Sequence, residues 1–229
     1  MRRFLSQERL WAPADAPEED RILPHVLWLP HDQPQVLEYF ARMREILNRY
    51  PELITPVADE DLHATVQKIE RFDTQGRHVD AQRLHDAAPA LQHELSGLQP
   101  IDIEIGPPRA SASAAVADVF PEAELHECYL RVRAGLLAAG LVLPPLAKYY
   151  WGHMTGGYGL TNTDTPEQAE RSDRLASELG RGLRPGSRIS ATISSVWLVL
   201  ERQDPAANAY TFTRVHEIPL GHHEVGLQA

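Results

Sequence analysis

The chain has 229 residues, with 32 acidic against 22 basic side chains and a formal net charge of −10. That balance speaks against a broad footprint on duplex DNA, and a small or terminal phosphate is the easier anionic partner. A single cysteine, Cys128, excludes an internal disulfide framework, no apolar run reaches the roughly 18 residues of a membrane span, and no Cys/His spacing reads as structural zinc.

Residues 1-24 read as a polar N-terminal arm; Arg2 and Arg3 invite comparison with an export signal, but Ser6 to Asp20 supplies no apolar segment. His25 to Leu29 is an apolar run stopped by Pro30, a strand. Pro34 to Tyr50 carries Val36, Leu37, Phe40, Met43, Ile46 and Leu47 at helical spacing. Leu62 to Ile69 alternates as a strand, Val79 to Leu98 has a helical stripe through Leu84, Ala88, Leu91 and Leu95, and Ile101 to Ile105 alternates strictly. The order then recurs: strand Ala115 to Phe120, helix Glu122 to Ala139, strand Tyr149 to Thr155, helix Pro166 to Leu179 and strand Arg188 to Leu200, followed by a strand from Tyr210 to Ile218.

The recurrence has a nearly constant offset. Helix starts Pro34 and Glu122 lie 88 apart, Val79 and Pro166 87 apart, and His63 and His153 90 apart. A duplicated unit accounts for this. The expected fold class is α+β: a bilobal, duplicated arrangement of two antiparallel sheets facing a central groove, with helices on the outside. The boundaries follow as an arm at 1-24, a domain at 25-221 with lobes at roughly 25-106 and 113-221, and a tail at 222-229.

Alternation places His63, Thr65 and Gln67 on one strand face and Leu62, Ala64 and Val66 on the other. In the second half Trp151, His153 and Thr155 share a face in the same way. Cleaving a phosphodiester needs a base for the attacking oxygen and an acid for the leaving one, and imidazole suits both near neutral pH. The threonine hydroxyls can donate to the non-bridging oxygens. Tyr149 and Trp151, on the His153 face by alternation, and Tyr158 are candidate surfaces for a nucleobase.

The segments Leu62 to Val66 and Gly152 to Thr155, with the closing strand from Tyr210 to Gly221 and its Ile218, Pro219, Leu220 and Gly221 ending, resemble the two-histidine (2H) phosphoesterase superfamily of 2′-5′ RNA ligase-like proteins and cyclic phosphodiesterases. The resemblance spans most of the chain, from about His25 to Gly221. It implies that His63 and His153 are the acid-base pair, that Thr65 and Thr155 hold the phosphate, and that neither metal nor cofactor is needed. It also implies a substrate among nucleoside or RNA-end 2′,3′-cyclic phosphates, 2′-5′ linkages and cyclic phosphates of ADP-ribose. The chain departs from the pattern at Met154, Gly156 and Gly157, where a looser or sharply turned backbone is expected.

Odd spacing from the motif histidines sets Lys68 and Lys148 on the opposite strand face, outside the site. Arg71, Arg77 and Arg214 read as surface cations, Cys128 as a packed thiol, and His216, His222 and His223 as scattered positions without metal-ligand spacing. The resulting expectation is a cytoplasmic hydrolase acting on a small nucleotide or RNA-end phosphodiester, without duplex DNA or membrane as partner. A monomer is the simplest form, though nothing in the sequence fixes the oligomeric state. The rival expectation is a nucleotide- or RNA-end-binding module of the same fold with little turnover, and a third is an accessory protein binding another phosphorylated metabolite.

Overall fold

Period-two patterning becomes strands and period-3.6 patterning becomes helices in nearly every expected place. A computed structural model describes residues 1–221 except Ala14; the expected tail at 222-229, with His222 and His223, lies outside the described residues. The elements are β1 (Ile22–Trp28), α1 (Pro34–Leu47), β2 (Ile54–Pro56), β3 (Ala64–Lys68), α2 (Ala81–Leu95), β4 (Ile101–Ala110), β5 (Ala114–Phe120), α3 (Glu122–Ala138), β6 (His153–Gly159), α4 (Pro166–Gly182), β7 (Ile189–Ile193), β8 (Ser195–Asp204) and β9 (Ala209–Pro219).

Local chemistry fixes the helix starts. Pro34 and Pro166 open α1 and α4, where a missing N–H costs nothing. Thr165 and Gln168 cap α4 reciprocally, and the Asp80 carboxylate accepts from the Arg83 amide at 2.8 Å to start α2. No helix among the described residues is long and apolar enough to cross a membrane.

The strands form two antiparallel sheets, ordered β3-β1-β8-β9 and β2-β6-β5-β4-β7. Under the offset of the duplication, β3 corresponds to β6, β1 to β5 and β8 to β4, so three consecutive positions of the two orders match, while β2 has no counterpart in the four-stranded sheet. The lobes are therefore not the sequence halves 25-106 and 113-221. Each half lends its third strand to the other half's sheet, and its first helix as well: α1 packs on β6 and β7, α3 on β3. Swapping lets both halves share one continuous apolar core, running from Val26 and Trp28 through α1 to Ile193 and Val196.

Two strand assignments change. The single strand expected over Arg188 to Leu200 is two, divided at exposed Ser194 where the chain passes between sheets. The phase of the apolar alternation slips there, from Ala191 and Ile193 to Val196 and Leu198, all buried. The strand expected from Tyr149 begins only at His153, because its partner β5 ends at Phe120 and Pro121 turns the chain into α3. The short β2 pairs with β6 through Ile54 to Pro56 and was not foreseen.

The N-terminal arm is more than a polar leader. Phe4 donates its amide to the Gly159 carbonyl at 2.7 Å, and Trp11 donates its amide to Gln203 Oε1 at 2.9 Å, so the arm is bonded to both sheets. Phe4, Tyr158, Tyr210 and Trp11 pack ring on ring, and Trp11 stacks on fully buried His25 with centroids 5.3 Å apart. These rings bridge β6 of one sheet and β1 and β9 of the other. Trp11→Ala is expected to cost about 2 kcal/mol, below the 3–5 kcal/mol of a fully buried tryptophan because the ring is half-exposed; chemical denaturation checks this.

Candidate active site

The two motif strands share one irregularity. In β3, Leu27 faces Thr65 while Val26 faces Gln67, leaving Val66 as an extra residue. In β6, Val116 faces Thr155 while Ala115 faces Gly157, leaving Gly156 extra. Each is a β-bulge immediately after the threonine, and a bulge reverses the face of every residue beyond it.

This reverses two expectations. Gln67 turns to the helix side, where its Oε1 accepts from buried Arg133 at 2.9 Å. Lys68, opposite His25, returns to the face of His63 and Thr65. Tyr158, opposite Ala114, rejoins the face of His153 and Thr155 in the same way. It is 4% exposed beneath Phe4 and Tyr210, so it offers no free surface for a base.

The bulge also accounts for the paired glycines. Neither adopts positive φ. A Cβ on Gly156 would lie 2.7 Å from Met43 Sδ, and one on Gly157 2.8 Å from Leu47 Cδ1, so both glycines let α1 lie directly on β6. The backbone is paired rather than loose, and Thr155 keeps the half-exposed position that Thr65 has in the other lobe. Among the described residues neither hydroxyl has a hydrogen-bond partner.

Both histidines are set by the same local bond. His63 Nδ1 lies 2.7 Å from the Asp61 carbonyl and His153 Nδ1 3.1 Å from the Trp151 carbonyl, two residues back in each case. Nδ1 must donate to a carbonyl, which leaves Nε2 of each ring as the nitrogen not bound to its own backbone. The motif segments adjoin each other: the Tyr150 hydroxyl donates to the Thr65 carbonyl at 2.9 Å. Burial, and then the nearby charge of His153, lowers the His63 pKa to about 4 against the bond from Asp61.

The surroundings of the two rings differ. Trp151 stacks on His153 with centroids 3.9 Å apart and donates from Nε1 to Asp118 Oδ1 at 2.8 Å. Arg109, not foreseen from sequence, donates to the same carboxylate at 3.1 and 3.2 Å and lies over the Trp151 ring. Burial would raise the Asp118 pKa, but the bonds from Arg109 and Trp151 hold it below the usual carboxylate value. Burial lowers His153, with Asp118 opposing and Arg109 assisting. Trp151 thus positions His153. Tyr149 is 73% exposed beside an open pocket lined by Asp118, Glu122, His126 and Trp151.

His63 instead meets Glu201 of β8, whose Oε1 lies 3.6 Å from Nε2, and its ring meets Phe212 edge-on at 5.7 Å. Glu201 is 3% exposed, and its second oxygen lies 3.2 Å from His25 Nδ1. Burial raises its pKa to about 8, with Lys68 opposing and Asp61 adding to the rise. The folded chain therefore keeps a proton that an unfolded glutamate releases above its ordinary 4.5, and this stabilisation is lost as pH rises through about 8. Relative to Glu201→Gln, the protein is expected to lose on the order of a few kcal/mol between pH 5 and pH 8, measured by urea unfolding at both values.

The remaining residues fall outside this constellation. Arg71 is held by Asp20 and Arg77 by Asp73, Lys148 lies over Tyr149, and His216 meets His85 on the helix side of β9. Arg214 is the exception: opposite Val199, it stands on the sheet face of Glu201 and Phe212 and lies over Trp197. Cys128 is buried in α3 with its pKa pushed up to about 12. Among the described residues no group of three or more His, Cys, Asp or Glu side chains is placed to hold a metal ion.

No family sequence model and no curated protein matches the chain, but solved structures do. TT0787 of Thermus thermophilus superposes with a TM-score of 0.57 at 17% identity, covering 88% of this chain and 100% of that one. Escherichia coli LigT complexed with 3′-AMP gives 0.56 at 14% identity over 88% and 98%. The MHV ns2 PDE domain gives 0.50 at 11% identity over 78% and 97%. The chain has the 2H phosphoesterase fold.

Proposed function

We propose that this protein is a metal-independent phosphoesterase acting on a cyclic or 2′-linked nucleotide phosphodiester, with His63 and His153 as the acid-base pair. The observation that carries the reading is the matched pair of bulged strands, each presenting one imidazole with Nδ1 bound to its own backbone and one half-exposed threonine with a free hydroxyl. Two imidazoles supply both proton transfers without a metal. Thr65 and Thr155 donate to the non-bridging oxygens, and Lys68 brings a cation to the same face. A nucleobase is placed against exposed Tyr149, with Trp151 retained behind His153.

The ligands of a neighbour with the same fold support the substrate class: E. coli LigT is complexed with 3′-AMP in one structure and with NADP+ in another. The alternative of an inactive binding module drew on Gly156 and Gly157, which packing against α1 now explains. The test is turnover of nucleoside 2′,3′-cyclic phosphates and 2′-5′ linked dinucleotides with EDTA present. Hydrolysis of either class supports the proposal, and inertness towards both overturns it.

A further inference from the structure

The two motif histidines are equivalent by duplication but not by environment, and the difference lies in one buried carboxylate. Glu201 reaches between His25 and His63, with Oε2 3.2 Å from His25 Nδ1 and Oε1 3.6 Å from His63 Nε2. His25 is fully buried under Trp11, and its Nε2 has no partner among the described residues. Burial lowers its pKa to about 3, so it is a neutral ring with its proton on Nδ1, between Glu201 Oε2 and the Leu23 carbonyl at 3.1 Å. Oε2 therefore accepts. Any proton on Glu201 sits on Oε1, directed at His63 Nε2.

His63 Nδ1 is committed to the Asp61 carbonyl, so Nε2 faces Oε1 with either a lone pair or a proton. Two bare lone pairs facing each other in a buried site would leave the carboxylate charge uncompensated, which is costly. One proton between the two atoms removes that cost. At 3.6 Å the contact is longer than a hydrogen bond, so the proton balances the carboxylate charge without tying Nε2 to Oε1 alone, and a substrate oxygen beside Oε1 can meet the same N–H.

We propose that Glu201 is a positioning residue that shares one proton with His63 Nε2, so that His63 enters the reaction as the acid and His153 as the base. The inference rests on the acid-base reading above and assigns its two roles. Water attacks phosphorus as His153 Nε2 takes its proton, and the bond from phosphorus to one ribose oxygen breaks as His63 Nε2 gives that oxygen the shared proton. His153 then holds one proton more and the Glu201–His63 pair one fewer, and exchange with solvent restores both. Facing the pair are His25 on β1, Asp61 before β3, Lys68 on β3, Tyr158 on β6, Tyr210 on β9, and His153 across the groove. Lys68 opposes proton retention and Asp61 favours it, while Arg202 partly offsets Asp61.

The experiment compares the full chain with Glu201→Gln, which keeps volume and hydrogen bonding but cannot pass a proton. An acid matters when the leaving oxygen is a poor leaving group. Glu201→Gln is therefore expected to slow 2′,3′-cyclic nucleotide hydrolysis roughly 100-fold while changing hydrolysis of a p-nitrophenyl nucleotide phosphodiester by less than about threefold. Equal slowing of both, or of neither, overturns the assignment of the acid. Nitrogen-15 NMR of the His63 ring gives a readout independent of turnover: the wild type is expected to show a transition near pH 8 that Glu201→Gln lacks. Identical titrations overturn the proposal, as does a wild-type His63 ring that is silent between pH 7 and 9 should the variant fail to fold. Inertness towards every phosphodiester would defeat the enzyme reading, whereas the NMR result would still decide the shared proton.

Discussion

His63→Ala and His153→Ala are each expected to lower kcat on a nucleoside 2′,3′-cyclic phosphate by about 10² to 10⁴-fold, the usual share of one acid or base. His153→Ala should change stability little, its main protein bond being to a carbonyl two residues away, whereas the His63 side chain is 11% exposed against Glu201 and Phe212 and its removal should lower Tm measurably. The two losses should not multiply in the double variant, since removing either group already interrupts the coupled transfer of protons. The shape of the pH profile separates the two sites. His63→Ala should remove the alkaline limb that the Glu201 pair imposes, while His153→Ala should remove the acidic one. Steady-state kinetics from pH 5 to 9, with circular dichroism melts alongside, reads all of these. Alanine variants that melt normally and turn over at wild-type rates would dispose of both site residues.

Gly157→Val is expected to be damaging although it touches no functional group. Its Cβ would lie 2.8 Å from Leu47 Cδ1 and 3.0 Å from both Ile54 Cδ1 and Cγ1, closer than packed carbons come. Overpacking of this kind costs about 1–3 kcal/mol, and valine's second methyl puts it at the upper end. For a chain of this size that is roughly 4 to 10 °C in Tm. Where Leu47 and Ile54 have no room to turn aside, relief comes from moving α1 or β2 away from β6, and β6 carries His153 and Thr155. Activity measured well below Tm should therefore fall as well. Val66→Ala, in the equivalent bulge of the other lobe, is a useful contrast: there the core accommodates a branched side chain, so the change leaves a void instead of a clash. A Gly157→Val protein with unchanged Tm would contradict the packing account of the glycines.

Most elements are legible in the sequence because their signals are local. Helical spacing from Pro34, Val79, Glu122 and Pro166 and strict alternation at Ile101 need no knowledge of what they pack on, and only the second start moves, to Ala81. The His-x-Thr pairs are legible for the same reason, and a constant offset near 90 residues ties them together. The break at Ser194 is present in the sequence as a slip of alternation, but inside one apolar run such a slip passes for continuous strand. The strand expected from Tyr149 starts late because alternation says nothing about whether a partner strand is present, and β5 ends before it.

Other features cannot be read along the chain. Counting residues sets Lys68 outside the site, a rule that holds only for an unbulged strand, and a bulge depends on the register of the neighbouring strand. Glu201 and Arg109 carry no motif; they matter because β8 and β4 cross into the opposite half's sheet. The sequence by itself determined the element types, the duplication and the pair of imidazoles, since each depends on neighbours a few residues apart or on simple repetition. Tertiary structure alone decided which strand each half gives away, how the arm ties the two sheets together, and which of two like histidines faces a buried carboxylate. Those outcomes depend on pairing between strands and on contacts as distant as His63 with Glu201, where one bulge or one swapped strand reassigns a whole face.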